Sequence, residues 1–360
     1  MIQQELLSKA LQKHKLPIVD QDVVSRQWLD KIRIDKNHIS VDLKLGFPIQ
    51  VSIQELFQDS IKQCLASLAP PEKIQVNISY QVRAHAIQSG VAAIPAVKNL
   101  IAVASGKGGV GKSTTAINVA VALHQQGARV GILDADIYGP NQPHLLGVKS
   151  RPRITEDKKI EPIIAHGLQS MSIGYLVDES TPMVWRGPMI SAALQQLVRD
   201  TLWDNLDYLV VDLPPGTGDI QLTLAKNIPV TGVVMVTTPQ DVALLDVRKS
   251  LEMFKKVNVD VLGVIENMSS HVCSQCGHEE LLFGSGGAAR LAERYQLKLF
   301  GQVPLSIAIR QDCDNGKPTS LVNSESHLAG IYREMSLKIA AELSYKKINY
   351  GSKIPKVVIE

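Results

Sequence analysis

Long apolar runs are missing from this 360-residue chain, and cysteine and net charge are scarce. No apolar stretch approaches the roughly 18 residues that span a bilayer, which argues against a membrane helix. The net charge of +3 is too mild for the strongly basic face of a nucleic-acid binder. Neither nucleic acid nor membrane is therefore an expected partner. The opening MIQQELLSKALQKHK has no continuous apolar core and no small-residue cleavage site, so it does not read as a secretory signal. That points to the cytoplasm. The four cysteines, Cys64, Cys273, Cys276 and Cys313, do not suggest a disulfide framework in a long chain without a signal. They fit reduced thiols, some of them available to a metal. Internal repeats and low-complexity tracts are absent too. What is present is an ordinary globular composition, 45% hydrophobic and 20% charged, over a length that suggests two domains.

Residues 1–80 read as a small α+β domain. Leu6, Leu7, Ala10 and Leu11 have helical spacing, and residues 54–68 read as a second helix stopped by Pro70-Pro71. Ile39, Val41, Leu43 and Leu45 alternate as in a strand, after a turn at Asn37-His38, and Ile74, Val76 and Ile78 alternate again. Residues 81–97 lack regularity and read as a linker. From residue 98 to 345, apolar strands at 100–104, 130–133, 208–211, 232–236, 261–265 and 299–303 alternate with helical stretches. That pattern predicts an α/β domain with a mostly parallel sheet flanked by helices. Residues 346–360 form a basic C-terminal tail.

Parallel sheets bind ligands at the carboxyl ends of their strands, and the informative residues all follow a predicted strand. Gly106, Gly111, Lys112 and Ser113 fill the G-x-x-x-x-G-K-[ST] spacing of a phosphate-binding loop, after the β-rich IAVAS and before the helical STTAINVAVALHQQ. Glycines let the backbone curl until N–H groups of Gly106, Gly108, Gly109, Val110 and Gly111 point at phosphate oxygens. The following helix adds its positive end. Lys112 is placed to reach the β and γ phosphates, Ser113 to offer a hydroxyl to Mg²⁺, and Thr114 to contact the α-phosphate. The expected ligand is ATP.

Two carboxylates follow strands, Asp136 in ILDADIYGPNQP and Asp212 in VVDLPPGTGD. Hydrated Mg²⁺ needs a carboxylate nearby, and hydrolysis needs a group that orients water. Asp212 takes the Mg²⁺ task. Asp134 and Asp136 both lie at the end of one strand, and spacing alone does not choose between them. Asn267 ends the strand VLGVIENM, and a side-chain amide can donate and accept at once.

Cys273 and Cys276 form C-S-Q-C, which is half of a tetrahedral thiolate site. A symmetric homodimer would complete it with the second pair. A [4Fe–4S] cluster and Zn²⁺ both accept four thiolates. His271 and His278 flank the pair, but four ligands within eight residues would be cramped. A redox pair and two structural thiols are the remaining readings. Cys64 and Cys313 stand apart and read as small apolar residues.

KGGVGKS, with Lys107 after the first glycine, resembles the deviant Walker A ATPases. Their extra lysine reaches the partner subunit's nucleotide, and the resemblance implies that role for Lys107. Together with ILDADIYGPNQP, VWRGPMI, LDYLVVDLPPGTGD, TTPQDVALLDVRK, GVIENMS and C-S-Q-C, it makes residues 99–342 resemble the Mrp/ApbC iron–sulfur cluster carriers. The resemblance implies a slow, switch-type ATP hydrolase. It would bind a labile [4Fe–4S] cluster between two subunits and pass it to apo iron–sulfur proteins, with scaffold or donor proteins as further partners. It makes Asp136 the residue that positions water, Asn267 the adenine reader, and Cys273 and Cys276 the cluster ligands. Many members begin with a domain similar to iron–sulfur assembly factors that carries a D-P-E-L-G-like segment. Here residues 19–24 (VDQDVV) depart from that form. Two other readings share the loop: a positioning or partition ATPase, which gives C-S-Q-C no purpose, and a zinc-stapled metal-insertion ATPase.

Overall fold

The computed structural model of the chain describes residues 4–35, 38–177, 187–273 and 275–349. Asn37 of the expected turn, Val184, Trp185 and Arg186 of the VWRGPMI segment, and residues 350–360 of the expected tail lie outside them. The amino-terminal part contains α1 (Gln4–Lys13), β1 (Leu29–Asp35), β2 (His38–Leu45), α2 (Val51–Leu65) and β3 (Ile74–Tyr80). The strands form a sheet of order β1-β2-β3, with β1–β2 antiparallel and β2–β3 parallel. The parallel pair needs a crossover, and α2 supplies it. Every fourth residue of α2 is apolar, and Ile53, Phe57, Ile61 and Leu65 are buried on that face.

The larger part follows as β4 (Val97–Ala104), α3 (Lys112–Gln125), β5 (Val130–Asp134), α4 (Gln142–Leu145), β6 (Ile163–Ala165), β7 (Leu168–Ser172) and α5 (Gly187–Asp200). Next come β8 (Leu206–Asp212), α6 (Asp219–Asn227), β9 (Gly232–Thr237), α7 (Asp241–Lys256), β10 (Val261–Val272), β11 (Glu279–Glu280) and α8 (Gly287–Tyr295). The last elements are β12 (Lys298–Leu305), α9 (Ile307–Asp314), α10 (Thr319–Val322) and α11 (His327–Ser344). Strands β12-β10-β9-β4-β8-β5-β7 run parallel in that order. β6 is antiparallel to β7, and β11 to the far end of β10. The fold is thus the mostly parallel α/β sheet that the alternating pattern implied. The central strands are buried on both faces, which is why they read as unbroken apolar runs.

Helix α3 is buried nearly all round, from Thr115 to Leu123. One apolar core runs continuously from Leu7 and Phe57 in the amino-terminal part to Ile117 of α3 and Tyr332 and Met335 of α11. At the same seam Arg26 pairs with Glu342 at 3.0 Å and lies 4.4 Å above the Tyr345 ring. A Cβ on Gly46 would sit 2.4 Å from Ser344 Cβ, so the two backbones meet there without room for a side chain. Residues 84–86 of the expected linker pair with residues 347–349 of the expected tail. Ala86 N–H donates to Lys347 O at 2.7 Å, and Asn349 N–H to Ala84 O at 2.9 Å. Among the described residues, no helix is long and apolar enough to cross a membrane.

Candidate functional site

Strand β4 lies in the middle of the parallel sheet, and the segment after its carboxyl end returns sharply into α3. Gly109 and Gly111 both take φ of +80°, the left-handed region that glycine enters without steric cost. A Cβ at Gly111 would also lie 2.1 Å from Asn267 Nδ2. Gly106 is confined from the other side: a Cβ there would meet the α7 backbone at Asp246 and Val247, 2.5 and 2.6 Å away. Val110 is buried, while Gly108 and Gly109 face solvent. Gly111→Ala should therefore add about 1–2 kcal/mol of left-handed strain and displace Asn267. We expect nucleotide affinity to fall by at least about tenfold, the equivalent of 1.4 kcal/mol. Calorimetric titration with ADP would detect this, and unchanged affinity would contradict it.

Asp134 and Asp212 end adjacent strands and are register partners across β5 and β8. Both are fully buried. Lys112, at the first turn of α3, makes a close ion pair with Asp212 Oδ1. The other carboxylate oxygen accepts from Gln142 Nε2 at 2.9 Å. The same amide nitrogen donates to Ser113 O at 3.2 Å. Asp134 is held by backbone: Asp136 N–H at 3.1 Å, Gln142 N–H at 2.9 Å, and the Ser172 hydroxyl at 3.2 Å. Burial, with the Asp212 charge next, pushes the Asp134 carboxyl up to about 7. Burial also raises Asp136, against the pull of Lys112. The two candidates on this strand thus differ in what holds them. Asp134 is tied into the turn that follows β5, and Asp136 is the one nearer the surface of the site.

These donors fit a hydrated divalent cation. They comprise an aspartate at a strand end and the Ser113 hydroxyl. In addition, Gln142 Oε1 is a buried acceptor with no partner among the described residues. When bound, such a cation would neutralise phosphate charge, with Asp212 and Ser113 as the residues that hold it. Asn267 reaches the loop from β10, its Nδ2 donating to Val110 O at 2.8 Å. That uses one of its two amide protons and leaves the rest of the amide for a ligand. Lys107 is half-buried. Its carbonyl accepts from the Ser105 hydroxyl at 2.9 Å, and its ammonium has no hydrogen bond or ion pair among the described residues. The Thr114 carbonyl accepts from Asn118 at 2.9 Å.

Strand β10 continues past Asn267 to a hairpin. Met268 takes φ of +56°, and the pairing with β12 shifts register between Asn267 and His271. The strand then pairs with β11, His271 opposite Glu280 and Val272 opposite Glu279. Cys273 and Cys276 stand on the connecting loop. Cys273 N–H donates to His278 O, and Gly277 N–H to Cys273 O, both at 2.9 Å. Backbone N–H groups of Cys276 and then Gln275 aim at the Cys273 sulfur and lower its pKa. A thiol held in this way favours the thiolate, the form that binds metal. Cys273 is half-buried and Cys276 exposed. The flanking histidines turn elsewhere: His271 Nδ1 contacts Leu305 O at 3.3 Å, and His278 contacts Glu280 at 3.8 Å. Among the described residues, no group of three or more His, Cys, Asp and Glu is set to hold a metal. Cys64 lies in the amino-terminal core with its Sγ 3.7 Å from Ala10 O. Cys313 is buried 3.9 Å from Asn118 Nδ2 on α3. Burial raises the pKa of both thiols.

Sequence reasoning missed Gln142. Its segment was recognised, but nothing in its spacing says that it meets a carboxylate 70 positions away.

A phosphate loop leaving the central parallel strand, beside an aspartate ending the next one, defines a P-loop NTPase. The chain matches the ParA family of NUBPL iron-transfer P-loop NTPases over residues 96–340, and it belongs to that family. It is 46% identical over 358 residues to an iron–sulfur cluster carrier protein of Haemophilus influenzae, covering 99% of this chain and 95% of that one. Among solved structures, a nucleotide-binding protein of Archaeoglobus fulgidus in complex with ADP is 38% identical. It superposes with a TM-score of 0.54, over 62% of this chain and 88% of the other. The cell-division ATPase MinD of Pyrococcus furiosus shares the fold at 22% identity, with a TM-score of 0.52 over 67% of this chain and 98% of its own.

Proposed function

We propose that this chain is an ATP-dependent carrier of a labile [4Fe–4S] cluster, which it holds between two identical subunits and passes to apoproteins. One observation carries the reading. The strand that packs Asn267 onto the phosphate loop presents, six positions further on, a half-buried Cys273 and an exposed Cys276 with no third ligand among the described residues. A half-site at the carboxyl edge of the sheet calls for a second copy of itself. Exposed apolar side chains on the same edge support that: Tyr138 after β5, Val242 and Leu245 at the start of α7, and Val272, Leu281 and Leu282 around the hairpin. The family and the carrier protein named above favour iron–sulfur cargo over zinc.

In this reading the backbone from Gly106 to Gly111 receives the ATP phosphates, with Lys112 and Thr114 beside it. Ser113 and Asp212 hold Mg²⁺, Asp136 orients the attacking water, and Asn267 reads the adenine. Lys107, whose ammonium has no partner among the described residues, supplies its charge to the partner subunit's nucleotide. Turnover is slow, because hydrolysis serves as a switch. Residues 1–80 form a domain similar to iron–sulfur assembly factors, joined by residues 81–97 to an ATPase domain at 98–345, with 346–360 as a basic tail.

Anaerobic reconstitution with iron and sulfide tests the cargo. About one [4Fe–4S] cluster per dimer is expected from a site completed by two thiolate pairs. Stoichiometric Zn²⁺ that iron cannot displace would sink the cluster reading.

A further inference from the structure

The geometry points to Gln142 as a positioning residue for the cation of the nucleotide site. This rests on the P-loop part of the reading above. The Gln142 side chain is 1% exposed and sits among acceptors. Its Nε2 lies 2.9 Å from Asp212 Oδ2 and 3.2 Å from Ser113 O, so the amide orientation is fixed: a flipped amide would set oxygen against two oxygens. That leaves Oε1 buried and without a donor among the described residues. A buried amide oxygen left so is unfavourable. Water bound to a divalent cation is a strong donor, and Asp212 and Ser113 are the two groups the loop offers such a cation. The carboxamide therefore does two things. Its nitrogen holds the Asp212 carboxylate in one orientation, and its oxygen would accept a hydrogen bond from water on the cation. The contact is independent of the turn that carries it, because Gln142 meets Asp134 through its backbone N–H at 2.9 Å. A side-chain substitution leaves that bond in place.

The test compares wild type with Gln142→Met, which keeps the length and removes both polar atoms, and with Gln142→Leu in case methionine disturbs packing. Fluorescent-ADP affinity is measured in EDTA and across a Mg²⁺ titration. In the variants, the Mg²⁺ concentration for half-maximal tightening should rise about tenfold, the effect of one lost hydrogen bond to a charged group at ~1.5 kcal/mol. Affinity in EDTA should fall by a smaller factor than affinity at saturating Mg²⁺, because the contact with Ser113 O is lost under both conditions. A Mg²⁺ midpoint unchanged in both variants overturns the inference. Equal weakening with and without Mg²⁺ also overturns it, because it marks a merely structural residue. If wild type itself shows no Mg²⁺-dependent nucleotide binding, the P-loop reading fails first, and the two failures are told apart.

Discussion

Replacing Lys112 by alanine should lower ATP turnover by about 10²–10³-fold, the range seen when one group that stabilises developing charge is removed. Phosphoryl transfer spreads negative charge over the phosphate oxygens, and a fixed ammonium stabilises it without rearrangement. The same substitution has a second effect that the ion pair makes plain. Asp212 is 0% exposed and Lys112 is its counter-charge. Removing one member of a buried pair destabilises by about 3–5 kcal/mol, so the nucleotide-free variant should also melt earlier. The two effects separate in the double variant Lys112→Ala/Asp212→Asn. A neutral amide no longer needs the ammonium, so much of the melting temperature should return, while turnover stays low. Recovery of turnover in the double variant, or unchanged turnover in the single one, would remove Lys112 from the chemistry.

Cys273→Ser should abolish cluster binding and leave nucleotide affinity within about twofold. Serine keeps the size, and the backbone bonds that shape the hairpin run through Cys273 N–H and carbonyl, so the loop should persist. What disappears is the thiolate that the N–H groups of Cys276 and Gln275 favour, and a hydroxyl is a poor substitute for a soft ligand. The phosphate loop is held by Asn267, Gln142 and Asp212, and none of those bonds passes through the hairpin. Iron and acid-labile sulfide per protomer report the first effect, ADP titration the second. A full complement of cluster on the serine variant would exclude the pair as its ligands.

The parts legible in the sequence were those where one physical demand acts alone. Strand β8 is buried along its whole length, and away from its paired aspartates Asp207 and Asp212 that favours apolar residues, so the run at 208–211 stood out. The glycines at 109 and 111 are dictated by backbone torsion and close approach. Other elements answer to several demands at once and left no clean period. In β1 only Ile32 is buried, so its pattern carries little alternation. In β7 the polar Ser170 and Ser172 are buried because their hydroxyls bond to Ile163 O and Asp134, which makes a core strand look like a loop. Gln142 was invisible for a related reason. Its importance is a matter of where β5, β8 and α3 converge, and local spacing does not encode that convergence. Between residues 81 and 97, Val82, His85 and Ile94 are buried without a regular period, which local spacing does not encode either.

The ion pair between Lys112 and Asp212 also makes Asp212 a competitor for any phosphate that the loop binds. A phosphate must draw the ammonium away from an internal anion, so the apparent dissociation constant is the intrinsic one divided by the fraction of molecules whose lysine is free. A cation that occupies Asp212 raises that fraction, and a phosphate that occupies Lys112 frees the carboxylate in turn. A metal and a nucleotide that bind in this way would assist each other by the same factor in either order of arrival, as linkage requires.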